Sequence, residues 1–551
     1  MNSKRVELFF DFLAFLAAIV YFAILFLNID YFKVPHGDIY QYIGDAKTYK
    51  IFLLPSLIQL QPLTPILMAI IEPFFSNFAF PYFAAAKFIN IFAASGTLLF
   101  TYFIAKRHLG LKVALMIALL CSIHPLAIIN ALDITTVGLY VFFTMGSLYF
   151  INSNKKMFFI MMTLAFLVRI EGAIILLVYL INQFEFKKIK EKINEKNYQK
   201  LVSNIFKENI YPIFFIIFSV GLVIFQAIHN TYNKSAPYGN QYLNEAFSIP
   251  LHTENFVYMF GLIGVSFFPE SFIWWGAKLF ESDFTSNLLT AMSLLILFLS
   301  PFFKKARTYG LYVLFMSVIH SFFPGIENRY FFLFLNLLVI NIFIIFYELH
   351  LKIKSRIIKL ISKLILIFIA INWISFCINQ INNSFINYRE EGLDLYYDVS
   401  NWIFNSAEDG NYYIFTEKEY LYSNMFLTSK TYLDGLKTES PILTTIDEKM
   451  TKIVMGKKTI NFIKLHRIVK QCSSLDCLFE TTGQEENAKY LLITNQWSRN
   501  QEKDFWRKND EQLFIDELLK KDHCLKQETS FKFSENAYRQ IDSFDRNCYL
   551  E

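Results

Sequence analysis

The chain has 551 residues, 54% of them hydrophobic and only 18% charged, and a mean hydropathy of +0.35. That is too apolar for an ordinary soluble domain, so a bilayer is the expected solvent. Basic residues outnumber acidic ones 30 to 19 before Asn382 and trail them 22 to 28 from there on, and the basic excess lies in short clusters between apolar runs. A nucleic-acid surface would not interleave in this way, whereas cytoplasmic loops of a multi-spanning protein do.

The first element follows Met1-Asn-Ser-Lys-Arg5: Leu8 to Leu27 is almost uncharged, interrupted only by Asp11, and long enough to span. It exceeds a signal-peptide core and lacks a small-x-small site before Asn28, so it reads as a retained anchor over 7–29 with its N-terminus inside. An external segment from Asp30 to about Phe80 follows, containing Leu63 to Phe75, an apolar stretch too short to cross and suited to the interface. Spans are predicted over 82–105, 112–130 and 132–151, separated or followed by Lys106-Arg107-His108 and Lys155-Lys156. The apolar run Met157 to Phe184 has basic residues on both sides. The charge rule therefore favours two short helices turning at Arg169-Ile-Glu171-Gly172, the alternative being one long helix with an internal ion pair. Further spans are expected over 209–229, 286–303, 309–325, 330–348 and 357–379, with 255–275 of ambiguous direction, for a total of about 11 crossings. A second external loop, Asn230 to Asn255, carries Pro237, Gly239 and Pro250.

From Asn382 the pattern becomes mixed, with strand-like Tyr412 to Thr416 and Tyr490 to Thr494 between amphipathic stretches such as Asp510 to Lys521. This predicts a small α/β domain over 381–551, external by parity, after a transmembrane domain over 1–380. Four of the six cysteines, Cys472, Cys477, Cys524 and Cys548, lie in it. Local pairs 472–477 and 524–548 are the simplest of three disulfide connectivities; a four-cysteine zinc site is the rival, without the C-x2-C spacing such sites use.

Ionisable residues near or within spans are functional candidates. The first loop repeats G-D-x-x-x-Y, in His36-Gly-Asp38 to Tyr42 and Gly44-Asp45 to Tyr49, placing two carboxylates at the outer surface. Either acts as base or metal ligand, or the Gly-Asp pairs merely cap a helix. Arg169 can clamp an anionic phosphate, with Glu171 as its structural partner in the alternative. His320 to Tyr330 brings Glu327 and Arg329 to the same face, and Lys87 is either a third cation or a snorkelling lysine.

At these residues the chain resembles the GT-C class of membrane glycosyltransferases, in particular the branch of protein O-mannosyltransferases and aminoarabinose transferases. The resemblance spans most of 1–380 and rests on ordered short motifs: Gly44-Asp45-Ala-Lys-Thr-Tyr49, Pro62-Leu-Thr-Pro65, Ala84-Ala-Ala-Lys87-Phe-Ile-Asn90 with Ala105 to Gly110, Leu167-Val-Arg169-Ile-Glu-Gly172, and Glu327-Asn-Arg329-Tyr330. It implies an α-helical polytopic membrane protein of the inner (plasma) membrane with a C-terminal extracytoplasmic domain, moving a sugar from a polyprenyl-phosphate donor to a lipid, glycan or protein acceptor with inversion. Asp45 would be the catalytic carboxylate, with Asp38 as lesser candidate or helper. Arg169, Arg329 and Lys87 would hold the phosphate, supported by Glu171, Tyr330, Tyr49 and His320. A divalent metal is used by some members and not by others. One departure is the neutral Ile134-Thr-Thr-Val-Gly138, where many relatives carry an acid. The rival readings are a transporter or flippase of lipid-linked sugars, which more often shows symmetric repeats, and an oligosaccharide polymerase or ligase, whose long loop lies late among the spans.

Overall fold

The structure, a computed structural model, describes residues 3–27, 39–50, 62–132, 135–183, 198–232, 297–320, 328–352, 393–405, 408–416, 442–446, 450–455, 457–465, 488–495, 518–534 and 537–544, with single positions that include Cys477, Ile515 and Cys548. Expectations for 255–275, for 357–379 as a span, for the Asn230–Asn255 loop and for Asp38, Glu327 and Cys472 lie outside these residues.

Among the described residues up to Gln183 the helices are α1 Ser3–Leu27, α2 Ile39–Lys50, α3 Leu63–Ile71, α4 Pro81–Leu109, α5 Leu111–Ser122, α6 Pro125–Leu132, α7 Val137–Phe150, α8 Lys155–Val168 and α9 Ala173–Gln183. Then come α10 Tyr198–Tyr232, α11 Arg307–His320, α12 Asn328–Lys352 and, in the tail, α13 Leu393–Asn405. Among the described residues three helical stretches are long and apolar enough to cross a membrane, Lys4–Leu27, Pro81–Leu109 and Leu335–Lys352. The expected single span over 112–130 is instead two short helices. Pro125 disfavours the helical conformation at the residue before it but fits the first turn of the next helix, so the chain breaks at Ile123-His124 and restarts as α6. Gly110, at φ 85, supplies the left-handed residue that separates α4 from α5.

Met157 to Gln183 forms the hairpin that the charge pattern favours. α8 ends at Val168, a 3-10 turn covers Ile170–Gly172, and α9 returns alongside, so that Phe158 near the start of α8 stacks on Tyr179 of α9 at 4.9 Å. Asn154 caps α8 by accepting from the Met157 backbone N–H at 3.1 Å.

Side-chain contacts sort the helix termini into two ends. At one, Lys106 of α4 binds Asp11 of α1 through both carboxylate oxygens, at 2.7 and 2.9 Å, and Glu7 at 2.8 Å. The Tyr102 hydroxyl also donates to Asp11 at 2.8 Å, so the lone charge in the first span is paired. At the same end Arg107 lies over the Tyr149 ring at 4.0 Å and donates to the Tyr149 carbonyl and to Ser153, His108 meets Tyr309 at 3.1 Å, and Asn182 donates to Thr308 at 3.1 Å. This end therefore collects Lys106, Arg107, Lys155 and Arg307. The first turn of α4, the α8–α9 turn and the last turn of α11 all lie at the other.

The chain divides into two compact units, one of Met1–Ile29, His36–Ile71 and Ala85–Asn383, the other drawing Glu72–Ala84 together with Ser384–Glu551. The second unit carries a seven-stranded mixed sheet: β1 Gly410–Phe415, β2 Ile442–Ile446, β3 Met450–Met455, β4 Lys458–Ile463, β5 Ala488–Asn495, β6 Leu525–Ser534 and β7 Ala537–Phe544, in the order β2-β3-β4-β1-β5-β7-β6. β1 runs parallel to both β4 and β5, and the remaining pairs are antiparallel. Its Tyr412, Tyr413, Ile414 and Phe415 are all buried, as a strand covered on both faces requires. The core stacks Tyr413 and Phe544 on Tyr490 at 5.7 and 5.5 Å, and the buried Lys458 ammonium caps α13 by donating to the Phe404 carbonyl at 2.9 Å.

Cys524 is joined to Cys548 across 24 residues, and Cys477 is also disulfide-bonded. Closing a loop of that length in the unfolded chain stabilises the domain by about 3 kcal/mol. Cys548→Ser, or reductant added to the wild type, is expected to lower the unfolding midpoint of the domain by several degrees; unchanged melting in both would show that the closure contributes nothing.

Candidate functional site

Two groups of side chains in the helical unit carry chemistry. The first stands on α2, a helix too short and too polar to span. Ile39, Tyr42, Ile43 and Ala46 recur at helical spacing and are buried, and this face packs on α3. Asp45 sits on the flank of that stripe in the middle of the helix, 6% exposed, which removes the capping explanation for this residue: a cap stands at the helix start. Among the described residues it has neither a hydrogen bond nor an ion pair. Burial pushes its carboxyl up to about 7. One turn on, Tyr49 is raised to about 12 by burial and by the Asp45 charge, and burial lowers the Lys47 amine to about 7. The helix thus holds an acid and an amine that both change charge near neutrality.

The second group surrounds the α8–α9 turn. Arg169 leaves α8 in an extended conformation, φ −153 and ψ 137, its N–H still donating to the Ala165 carbonyl at 2.9 Å. Its guanidinium donates from Nε and Nη2 to a single oxygen, Oε1 of Glu171, at 3.2 and 2.6 Å, and from Nη1 to Oγ1 of Thr136 at 3.2 Å. Glu171 is buried; on its other side His320, the last residue of α11, brings Nε2 to 3.8 Å from the same oxygen. Nδ1 of His320 lies 2.9 Å from the Met316 carbonyl, an acceptor, so Nδ1 carries a proton and Nε2 can donate to Glu171 only as the imidazolium. Below them the Tyr140 and Tyr312 hydroxyls, from α7 and α11, meet at 3.0 Å.

Lys87 is buried in α4. One turn further on, Asn90 lies against Gly138 in the first turn of α7, since a Cβ at Gly138 would stand 3.6 Å from Asn90 Oδ1. Thr136, which holds Arg169, stands at the N-cap position of that same helix without a side-chain capping bond, so the Lys87 helix and Arg169 meet at the start of α7. Arg329 and Tyr330 stand in the first turn of α12; the placement of their side chains lies outside the described residues.

The fold thus brings Arg169, Glu171 and His320 into contact. α3, which carries α2, touches α8, but among the described residues no hydrogen bond or ion pair joins Asp45 to Arg169. Thr136, Tyr140 and Tyr312 were not singled out in the sequence, and a threonine or tyrosine in an apolar run gives no charge signal there. For a metal, the one grouping of three candidate ligands among the described residues is His523, Cys524 and Cys548, and both cysteines are committed to the disulfide.

No protein-family model matches the chain, and no curated protein matches it. Solved structures are similar, among them two that match over nearly their whole length. The crystal structure of ArnT from Cupriavidus metallidurans bound to undecaprenyl phosphate gives a TM-score of 0.52 at 9% identity, covering 100% of this chain and 99% of that one. The apo structure of ArnT from the same organism gives 0.51 at 9% identity, covering 97% and 98%. The likeness shows a shared fold, an apolar helical unit followed by a sheet domain.

Proposed function

We propose that this chain is a membrane glycosyltransferase of the aminoarabinose-transferase type, moving a sugar from a polyprenyl-phosphate donor to a lipid, glycan or protein acceptor at the extracytoplasmic face. The observation that carries this reading is the Arg169–Glu171–His320 cluster, its carboxylate and imidazole buried and its guanidinium partly exposed, at one end of a bundle whose fold is that of a protein crystallised with undecaprenyl phosphate. Basic loops collected at the opposite end support a cytoplasmic position for that end and an external one for the cluster, and by the parity of the sequence the sheet domain is external too.

In this reading an acceptor oxygen attacks the anomeric carbon from the face opposite the phosphate. The acceptor proton passes to Asp45, the bond from the anomeric carbon to the phosphate oxygen breaks, and the polyprenyl phosphate departs with the bonding pair. Arg169 and Lys87, with Arg329, stabilise the charge that develops on the leaving phosphate, and Glu171 and His320 keep Arg169 in place. Asp38 would assist Asp45, and Tyr49 and Tyr330 would line the site. A divalent metal has no ligand set among the described residues, and no step here runs through one.

The test is transfer of labelled sugar from polyprenyl-phosphate sugars by the purified chain in nanodiscs. Wild type is expected to transfer, and Arg169→Ala to lose about 10²–10³-fold, the loss that removal of one transition-state donor causes. Transfer from a nucleotide sugar alone, or full activity in Arg169→Ala, would overturn the reading.

A further inference from the structure

The two hydrogen bonds that tie Arg169 to Glu171 converge on one oxygen, Oε1, instead of running in parallel to both oxygens of the carboxylate. A fork on two oxygens fixes the plane of a guanidinium more firmly than a pair of bonds on one oxygen. The backbone of Arg169, extended after α8, is held by its N–H donating to the Ala165 carbonyl at 2.9 Å and its carbonyl accepting from the Gly172 N–H at 3.0 Å, restraints on the main chain and not on the guanidinium. The third bond, from Nη1 to Thr136 Oγ1 at 3.2 Å, comes from a different part of the fold, the junction of α6 and α7. Thr136 is 4% exposed, and a Cβ at Gly138 just beyond it would stand in ordinary contact with the Asn130 carbonyl at 3.5 Å and Asn90 Oδ1 at 3.6 Å. The hydroxyl is therefore mounted on buried backbone.

We infer that Thr136 is a positioning residue for the donor phosphate: its hydroxyl holds the Arg169 guanidinium at Nη1, the nitrogen that Glu171 does not bind. This rests on the donor reading given above. The neutral Ile134 to Gly138 segment then has a use in this chain. A hydroxyl there orients Arg169 without adding a second negative charge, so the cluster keeps its attraction for an anionic phosphate.

The experiment compares Thr136→Val, Thr136→Ser and wild type as full chains in nanodiscs, by steady-state transfer from a polyprenyl-phosphate sugar and by equilibrium binding of a short-chain polyprenyl phosphate. Thr136→Val is expected to raise the donor KM and the phosphate Kd about tenfold, the order of one hydrogen bond to a charged group, with kcat changed less than threefold. Thr136→Ser keeps the hydroxyl and is expected to restore both values, and the melting temperature is expected to stay within a few degrees in both variants. Equal KM and Kd in Val and wild type would overturn the inference while leaving the donor reading intact, and so would equal losses in Val and Ser, which would assign the effect to the lost shape. Wild type that binds polyprenyl phosphate through Thr136 yet transfers no sugar would overturn the donor reading alone; wild type that does neither overturns both. Should Thr136→Val fail to fold, Thr136→Ala against Thr136→Ser gives the same comparison.

Discussion

Asp45→Asn is expected to lower sugar transfer by about 10²–10⁴-fold, the usual share of a general base, while making the protein more resistant to heat above neutral pH. Both effects come from one fact: the carboxyl is buried mid-helix with no hydrogen bond or ion pair among the described residues, and burial lifts it to about 7. A base with that value is ionised over the upper half of the neutral range, so wild-type transfer should rise as pH passes through about 7 and level off above it. The sign for stability is opposite. An unfolded aspartate titrates near 3.9, so the folded state holds its proton more tightly. The stabilisation is complete below about 3.9 and is lost as pH rises through about 7. Asparagine does not ionise, so at pH 8 the variant should be more stable by about 2 kcal/mol after allowance for solvent screening, and at pH 5 the difference should shrink. Melting curves at the two pH values, beside transfer rates, read this directly. A variant less stable than wild type at pH 8 would mean that Asp45 supports the helix, and full activity would remove its catalytic role.

How much of this was legible in the sequence depends on the range of the interaction. The α8–α9 hairpin was readable because charge parity and Gly172 are local signals, and so were β1 and β5, whose apolar runs belong to the sheet interior. The break at His124-Pro125 was also local, and the hydrophobicity of 112–130 masked it. Asp11 was visible as an interruption, but its partner Lys106 lies 95 positions away. Thr136 reaches Arg169 across 33 positions, and only the return of α8 to the start of α7 makes the two neighbours. The order of the central strands, with β4 and β5 flanking β1, likewise follows from long-range pairing that the alternation of residues does not encode.

Gly172→Ala is expected to damage the site as severely as loss of a functional side chain, although glycine touches no substrate. A Cβ at Gly172 would stand 2.4 Å from the Phe166 backbone nitrogen, 2.6 Å from its Cα and 2.8 Å from the Ala165 carbonyl carbon. All three are backbone atoms in the last turn of α8, so no side-chain rotation relieves the clash and the turn itself must open. Overpacking of this kind costs about 1–3 kcal/mol where side chains can adjust, and the backbone clash places Gly172→Ala at or above the upper end. Because Arg169 and Glu171 lie within three residues, opening the turn also separates Arg169 from Thr136 and Glu171 from His320, and donor affinity should fall with stability. Gly96→Ala is the control. Its Cβ would meet the Phe142 ring at 2.3 Å, which is closer still but is a side chain that can turn away, so the expected loss is smaller and confined to stability. Melting temperature and polyprenyl-phosphate Kd, measured on both variants, separate the two cases: Gly172→Ala should move both, Gly96→Ala only the first. Equal behaviour of the two variants would show that the α8–α9 turn tolerates movement, and that the position of Arg169 is set elsewhere.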